Sequence, residues 1–427
     1  MAAPGYVYYG DDYTGASDTL ATLAVAGRRT MLFTGVPTAV QLDAAGPLDA
    51  IGIAGAARSM APQAMRIELA EVGRFFASTG ASILHYKVCS TFDSAPHVGN
   101  IATAVETLRP HVRQPVAAIV GGQPNLGRYC VFGHLFAAAQ TGGAVVRLDR
   151  HPTMRCHPVT PMHESDLRVH LAALGLERIE LVPYPTYESP PAAQAALWGG
   201  LIATSPAAVL FDVARAADLV DVGRLLHGMA RDGSLLVVGA SSVAQAWLGD
   251  AASTGTHPRV AAASGTVLVM AGSLSPMTAR QVDAATSYEH VAIDVAALLR
   301  DDSVAIRASV DRVAEALRSG RHVLAHTGGR GGVDAPPSAT LAAACGRWLD
   351  AVLRACPVRR VGVAGGDTSS HALKSLDVWG LSYLGALAPG VALCRASSAA
   401  PHLDGIELML KGGQMGAPDL FERLIAP

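Results

Sequence analysis

The sequence lacks the features that mark nucleic-acid-binding, secreted and membrane-spanning proteins. Its 427 residues carry a formal net charge of −2, and no cluster of Lys and Arg stands out along the chain, so the electrostatic signature of a nucleic-acid binder is absent. No basic segment followed by an apolar stretch opens the chain, and no run of eighteen apolar residues occurs in it. We therefore expect a cytoplasmic protein whose partners are small molecules, with no nucleic acid and no membrane among them.

Cysteine patterns and the common nucleotide-binding motifs are missing as well. The six cysteines form no Cys-x-x-Cys pair, which argues against a zinc knuckle and a disulfide framework. Neither the P-loop pattern nor a Gly-x-Gly-x-x-Gly turn before the first helix is present. If the protein binds a nucleotide, it uses a less common set of loops.

The sequence is rich in apolar residues and glycine. Half of its residues are hydrophobic and only 16% are charged, a composition that suits buried parallel sheets covered by helices. Short apolar runs such as "YVYY", "TMLF" and "AIGIA" alternate with helical patterns, the first of which we expect to begin near Ala16 and to stop at Gly27. We predict an α/β protein with two domains, each a largely parallel sheet flanked by helices, and an active site in the cleft between them.

The length of the chain also indicates two domains, because it exceeds one ordinary hydrophobic core. The stretch "GDAASTGTHPRVAAASG", residues 249–265, is small, polar and without apolar periodicity, so we predict a linker there. The substrate domain is then expected at residues 1–248 and the nucleotide-binding domain at residues 266–427. A homodimer is the default expectation for the assembly.

Polar residues follow the apolar runs of the first half, where α/β sheets bind their ligands. Cations suit the carboxylate of a small hydroxy acid, and carboxylates and amides suit its hydroxyl groups. The candidate substrate-binding residues are Asp11, Asp12, Thr14, Arg58, Ser59, Lys87, Ser90, Thr91, Asp93, Asn100, Arg155 and His157.

Some of these candidates have another interpretation. One of the two aspartates could merely cap the following helix, although adjacent side chains point different ways and a cap explains only one. Lys87 could simply extend to solvent. His157 lies in the polar loop "TMRCHPVTPMHESDL" with a second histidine, yet the residue spacing of strong zinc sites is missing. We predict no metal site formed by protein side chains alone.

Glycine-rich turns follow the apolar runs of the second half. They read "AGSLSPMTARQ", "HTGGRGGVDAPPS", "AGGDTSSHALKSL" and "KGGQMGAPDLF". Glycine lets the backbone approach a phosphate, and the N–H groups at the start of the next helix point at it. A single such turn could be steric, but four in one domain favour a nucleotide-phosphate site. Asp367 and Thr368 either cap a helix there or contact phosphate and Mg²⁺-bound water.

The same segments carry a family resemblance. From "GDDYTGASD" through "YKVCSTFDS", "GNI", "GHLF" and "MRCHPVTPM" to "AGGDTS" and "GAPDLF", the chain resembles the four-carbon acid sugar kinases, which comprise 3-oxo-tetronate and threonate/erythronate kinases. The resemblance implies an N-terminal acid-sugar domain, a C-terminal ATP-binding domain and transfer of the γ-phosphoryl group to a terminal hydroxyl. Within it, "KVCSTFDS" is similar to the 3-oxo-tetronate branch, whereas "KGGQMG" departs from the usual K-S-G-N-F-G.

The resemblance also assigns residues to the two ligands. It implies substrate contacts at Asp11, Asp12 and Thr14. The implied ATP contacts are Ser273, with Ser275 as the alternate, and Gly365, Gly366, Asp367, Thr368 and Gly413.

Three functions are compatible with the sequence. The leading one is a kinase that uses ATP and Mg²⁺, in which Asp12, or Asp11 beside it, orients or deprotonates the attacking hydroxyl. A sugar-phosphate phosphohydrolase with an aspartate nucleophile is the second, but adjacent aspartates do not reproduce its i, i+2 pair. A non-catalytic sugar-acid sensor is the third, and it predicts ligand binding without ATP turnover.

Overall fold

The structure is a computed structural model that describes residues 4–138, 143–157, 159–255, 258–272, 275–328, 339–413 and 415–427, with the backbone alone for residues 253, 254, 339, 366, 367, 370 and 371. The chain forms two compact units. Unit 1 consists of Met1–Thr30 and Thr38–Thr256, and unit 2 consists of Met31–Pro37 and His257–Pro427.

The strands are β1 (Tyr6–Gly10), β2 (Thr30–Phe33), β3 (Ala50–Ala54), β4 (Ile83–Lys87), β5 (Ala117–Val120), β6 (Gly122–Gln123), β7 (Arg128–Val131), β8 (His134–Ala138), β9 (Val145–Arg147), β10 (Ile179–Val182), β11 (Ala208–Phe211), β12 (Leu235–Gly239), β13 (Val267–Ala271), β14 (Tyr288–Ala292), β15 (His322–His326), β16 (Arg360–Ala364), β17 (Val378–Ala388), β18 (Val391–Ser398) and β19 (Glu407–Lys411).

The helices are α1 (Tyr13–Val25), α2 (Ala39–Ala45), α3 (Pro62–Thr79), α4 (Ile101–Leu108), α5 (Leu167–Ala173), α6 (Pro191–Ala203), α7 (Asp218–Met229), α8 (Ser242–Leu248), α9 (Asp250–Thr254), α10 (Pro276–Ala284), α11 (Val295–Leu299), α12 (Ser303–Arg318), α13 (Ala339–Ala355), α14 (Gly366–Ser375) and α15 (Leu420–Ile425). Short 3-10 turns include Ala57–Ser59 and Met154–Cys156. No helix within the described ranges is both long and apolar enough to cross a membrane.

A parallel sheet with the strand order β10-β11-β5-β12-β4-β1-β3 forms the centre of unit 1. Strands β1, β3, β4 and β12 are buried along their whole length, which explains why they are continuous apolar runs rather than alternating patterns. Gly10 at the end of β1 is level with Ala54 of β3 and Lys87 of β4, and Lys87 is level with Gly239 of β12. The residues that follow these strands are therefore neighbours at one edge of the sheet.

Unit 2 is also built on a largely parallel sheet, in the order β2-β17-β18-β19-β16-β13-β15-β14. The strands from β19 to β14 are parallel, and Ala271 of β13 is level with both Ala364 of β16 and His326 of β15. Ala364 is in turn level with Lys411 of β19. The four strands that precede the predicted glycine-rich turns thus end at the same edge of this sheet, although residues 329–338 of the turn after β15 lie outside the described residues. The α/β class and the largely parallel sheets are confirmed.

The sequence pattern missed the antiparallel parts of both units. In unit 2, β17 and β18 form a hairpin whose turn contains Pro389 and Gly390, the latter with φ of 70°. The Pro-Gly pair is a turn signal and could have predicted this hairpin. In unit 1, β6 to β9 form a small antiparallel sheet. Helix α1 also begins at Tyr13 rather than near Ala16, because Asp12 caps it.

Part of the predicted linker is packed structure. Within residues 249–265, Asp250–Thr254 is helical, and Val260 is 8% exposed in the hydrophobic core of unit 2. The packing of this segment could not be predicted from its sequence, because its small side chains show no apolar periodicity even where they pack.

Candidate functional site

The two aspartates after β1 have different surroundings. Asp12 caps α1, and its Oδ1 accepts a hydrogen bond from the backbone N–H of Gly15 at 2.6 Å, while its Oδ2 lies 2.7 Å from Nη1 of Arg58. Asp11 is 5% exposed, and its Oδ2 lies 3.4 Å from Nε of Arg58. Its Oδ1 is buried without a hydrogen-bond partner in the part of the chain that the structure describes. Asp12 is thus held at both oxygens, whereas Asp11 keeps one acceptor unused.

Arg58 lies opposite this pair because it follows the neighbouring strand β3. Its backbone N–H, in the turn Ala57–Ser59, donates to the carbonyl of Asp11 at 3.1 Å and fixes the position of the side chain. Its Nη2 is buried and has no hydrogen-bond partner among the described residues. A half-buried guanidinium whose buried Nη2 donor is unused is suited to an anion that is not part of the protein.

Lys87 is the last residue of β4 and is 5% exposed. The alternative that it extends to solvent is therefore wrong. Its Nζ lies 3.9 Å from Oδ1 of Asp12. A Cβ atom placed on Gly15 would lie 1.6 Å from this Nζ, so glycine at this position of the GDDYTG motif leaves room for the ammonium group.

A third carboxylate is linked to the polar loop after β9. Asp93 accepts hydrogen bonds from the hydroxyl groups of Thr91 at 2.5 Å and Thr160 at 3.1 Å. Nδ1 of His157 accepts from the backbone N–H of Thr160 at 3.0 Å, so a neutral His157 carries its proton on Nε2 and offers a donor there. Burial raises the pKa of Asp93, but the charge of Arg58 and the hydrogen bond from Thr91 outweigh it and hold the pKa below its usual range.

The same surroundings move the pKa values of the aspartate pair apart. Burial raises the pKa of Asp11 to about 6, with the charge of Arg58 opposing the shift and that of Asp12 adding to it. Burial acts on Asp12 as well, but Arg58, Lys87 and the N–H of Gly15 together lower its pKa. The pKa of Arg58 stays well above its ordinary value, because its two aspartate neighbours outweigh its burial. Asp12 is therefore the fixed anion of the pair, and Asp11 is the carboxyl that can take up a proton near neutral pH.

Several predicted substrate residues lie outside this cluster or have other roles. Asn100 caps α4 by accepting from the N–H of Thr103 at 2.9 Å, and its amide donates to the carbonyls of Pro96 and Leu174. These contacts favour a structural role. Ser59 is exposed and donates to the carbonyl of Ala56. The remaining predicted contacts, which stay predictions, are those of half-buried Thr14 and Ser90 and of exposed Arg155.

The predicted ATP residues of unit 2 lie around glycines at the edge of its sheet. A Cβ atom on Gly272, directly after β13, would lie 2.5 Å from Oγ1 of Thr368. Gly365, directly before α14, has φ of 127°, which other residues rarely adopt. Ser275 caps α10 and donates to the carbonyl of Gly413. These turns bring the backbone close together where phosphate is expected.

One of the predicted ATP contacts lies outside the described residues, and two more are described by their backbone alone. Ser273 lies outside the described residues, and of Gly366 and Asp367 the structure describes the backbone, which forms the start of α14. Across the described ranges, no three side chains of His, Cys, Asp or Glu come together in a way that could hold a metal ion.

Two domain families match the chain. Residues 6–247 match the family described as a sugar-binding N-terminal domain, and residues 268–421 match the one described as a nucleotide-binding C-terminal domain. The chain belongs to the four-carbon acid sugar kinase family.

Family members of known activity align with nearly the whole chain. The 3-oxo-isoapionate kinase of Paraburkholderia graminis is 36% identical over 97% of this chain and 92% of its own length. The 3-oxo-tetronate kinase of Methylobacterium radiotolerans is 32% identical over 97% of both chains. Among solved structures, a Salmonella typhimurium LT2 protein shares the fold with a TM-score of 0.79 and 25% identity over 98% of both chains. The resemblance inferred from the sequence is thereby confirmed.

The sequence analysis missed two residues of the unit 1 cluster. Gly15 belongs to the GDDYTG motif, but nothing in the pattern shows that a lysine from another strand lies against it. Thr160 joins Asp93 to His157, because its hydroxyl donates to Asp93 and its backbone N–H donates to Nδ1 of His157. Proximity to a charged partner distant in sequence decides both roles.

Proposed function

We propose that the protein transfers the γ-phosphoryl group of ATP to a hydroxyl group of a four-carbon 3-oxo sugar acid. The observation that carries this proposal is that two buried atoms of the charged cluster in unit 1, Nη2 of Arg58 and Oδ1 of Asp11, have no hydrogen-bond partner among the described residues. Buried polar atoms normally have partners, so these two indicate a ligand that brings both an anionic acceptor and a hydroxyl donor. A sugar acid has both groups.

The charged side chains divide the recognition of such an acid between them. Arg58 and Lys87 supply the cationic donors for a carboxylate. Nε2 of His157 supplies a further donor, which suits an oxo group because a carbonyl accepts hydrogen bonds and cannot donate. The carboxylates of Asp11 and Asp93 are the acceptors for hydroxyl hydrogens.

The geometry favours Asp11 over Asp12 as the base. In the transfer step the substrate hydroxyl oxygen forms a bond to the γ-phosphorus, the bond from that phosphorus to the β,γ-bridging oxygen breaks, and the hydroxyl proton passes to Oδ1 of Asp11. A pKa of about 6 lets this carboxylate be ionised at neutral pH and still accept a proton. Asp12, held at both oxygens, keeps Arg58 and Lys87 in place instead.

The residues of unit 2 fit a nucleotide. Gly272 and Gly365 lie where a side chain would clash or strain the backbone, and the ten-residue helix α14 begins directly after Gly365. Free N–H groups at a helix start are a common phosphate site. ATP with Mg²⁺ would supply the phosphoryl group and spread its negative charge, and Asp367 is the proposed contact to Mg²⁺-bound water.

The names of the relatives narrow the range of substrates proposed for this chain. Both are named for 3-oxo acids, 3-oxo-isoapionate and 3-oxo-tetronate, which supports an oxo group in the acid taken by this chain. A coupled assay of ADP release over four-carbon acids, with 3-oxo-tetronates against threonate and erythronate, tests this. We expect turnover with the oxo acids and kcat/KM at least about tenfold lower with the 3-hydroxy acids, which lack the acceptor-only group.

The other outcomes of this assay separate the alternatives. Phosphate released from a sugar phosphate without nucleotide would indicate the phosphohydrolase. Binding of an oxo acid without ADP release would indicate the sensor. Equal turnover of oxo and hydroxy acids would retain the kinase but remove the role of the oxo group.

A further inference from the structure

Lysine is the rarest charged residue of this chain, and its placement is unusual. Only Lys87, Lys374 and Lys411 occur in the sequence, and two of them end buried strands. Lys411 ends β19 and is 0% exposed, in unit 2. The sequence analysis treated its segment only as a glycine turn.

The ammonium group of Lys411 is surrounded by acceptors. Its Nζ donates to Oγ1 of Thr278 at 2.9 Å, to Oε1 of Gln281 at 2.6 Å and to the carbonyl of Gly413 at 3.3 Å. The last two atoms can only accept. Thr278 donates its own hydrogen to the carbonyl of Gly413 at 3.0 Å, so its oxygen also accepts from the lysine. The three N–H donors of the protonated amine thus match three acceptors.

These contacts tie one glycine turn to the helix that follows another. Thr278 and Gln281 belong to the first turns of α10, which follows the turn after β13. The amide of Gln281 donates to the carbonyls of Met415 and Ala417 at 3.0 and 2.9 Å. Lys411 and Gln281 together fix Gly413, Met415 and Ala417, the contacted residues of loop 412–417, which includes the predicted ATP contact Gly413.

Packing alone does not account for a lysine at this position. Within the described residues no carboxylate pairs with it, and burial lowers its pKa to about 7. An apolar side chain of similar length would fill the same space without the cost of removing a charge from water. The lysine therefore has a role that depends on its hydrogen bonds.

We propose that Lys411 is a positioning residue for nucleotide binding, which holds the carbonyl of Gly413 and with it loop 412–417 against the start of α10. The inference rests on the proposed function, since the loop is taken to contact ATP. Loosening the loop should weaken nucleotide binding and leave binding of the sugar acid, in unit 1, unchanged.

The test compares Lys411→Met with Lys374→Met, a matched control at an exposed lysine of α14. The dissociation constant of a non-hydrolysable ATP analogue is measured by calorimetry, and hydrogen exchange of residues 412–417 is followed in the ligand-free protein. We expect Lys411→Met to weaken analogue binding about tenfold or more, as for loss of a hydrogen bond from a charged group, and to speed hydrogen exchange in the loop. Wild-type affinity with a protected loop would overturn the proposal.

A second pair of variants keeps the test decisive if Lys411→Met does not fold. Thr278→Val removes the hydroxyl that accepts from Lys411, whereas Thr278→Ser retains it. We expect weaker analogue binding in the valine variant alone, with an unchanged KM for the sugar acid, and equal binding in both would contradict the proposal. If the wild-type protein binds no nucleotide, the proposed function fails and the inference with it; if it does and Lys411→Met binds equally well, the inference alone fails.

Discussion

Charged side chains lie at or soon after the ends of strands β1, β3 and β4 in unit 1, whereas glycines directly follow strands β13, β16 and β19 in unit 2. At the first edge, Asp11, Asp12, Arg58 and Lys87 form a cluster in which buried donor and acceptor atoms remain unused. At the second edge the buried cation is Lys411. All three N–H donors of its ammonium group have acceptors within the protein. One edge can recognise a specific acid through side chains, and the other can bind phosphate through its backbone.

The largest effect that would test this difference is expected from the aspartate pair. Asp11→Asn removes the proposed proton acceptor, so kcat should fall by ~10²–10⁴-fold while the KM for ATP stays nearly constant. Asp12→Asn should lose less in kcat, because asparagine still caps α1, and should raise the KM for the acid as Arg58 and Lys87 lose their anchor. Single-turnover rates on both variants measure the contrast, and the reverse order would restore Asp12 as the base.

The next effect concerns the cation of unit 1. Lys87→Met keeps the apolar stem of the side chain and removes its charge, so the KM for the sugar acid should rise about 10- to 100-fold. Steady-state kinetics with each substrate varied in turn provide the measurement. If the change fell on the KM for ATP instead, the division of ligands between the units would be wrong.

Replacing a glycine with alanine should weaken binding of a different ligand in each unit. Gly15→Ala pushes against the ammonium of Lys87 and should weaken binding of the acid about tenfold. Gly365→Ala strains a backbone with φ of 127°, which costs ~1–3 kcal/mol and should weaken binding of an ATP analogue. Calorimetry with each ligand on both variants gives a two-by-two comparison, in which an identical profile for the two variants would contradict the assignment.

The smallest effect is that of pH. Folding raises the pKa of Asp11 from 3.8 to about 6, so the folded state binds the proton more tightly than the unfolded one. Its contribution to stability is therefore present below pH 3.8 and is lost as the pH rises to about 6. Activity should move oppositely and rise through pH 6 as Asp11 ionises. Chemical denaturation and kcat/KM profiles of wild type and Asp11→Asn, in which both dependences should disappear, check this.

The sequence predicted the strand ends of both units because continuous apolar runs and the residues after them are local signals. It could not divide the roles of Asp11 and Asp12, since the partners that distinguish them come from β3 and β4. Asn100 follows Asp93 closely in sequence, which favours a contact with the substrate. Its hydrogen bonds as the cap of α4 favour a structural role instead, and the sequence does not show them. Lys87 could not be told from a solvent-exposed lysine, because burial at a strand end depends on the neighbouring strands.

Lysine usage has a practical consequence for handling this protein. With Lys87 5% and Lys411 0% exposed, Lys374 is the lysine side chain that an amine-reactive reagent meets first. Succinimidyl esters should accordingly modify this lysine well before the other two. A fluorophore or a sensor surface attached through this lysine would sit in the last turn of α14, at the opposite end of that helix from the start proposed to bind phosphate.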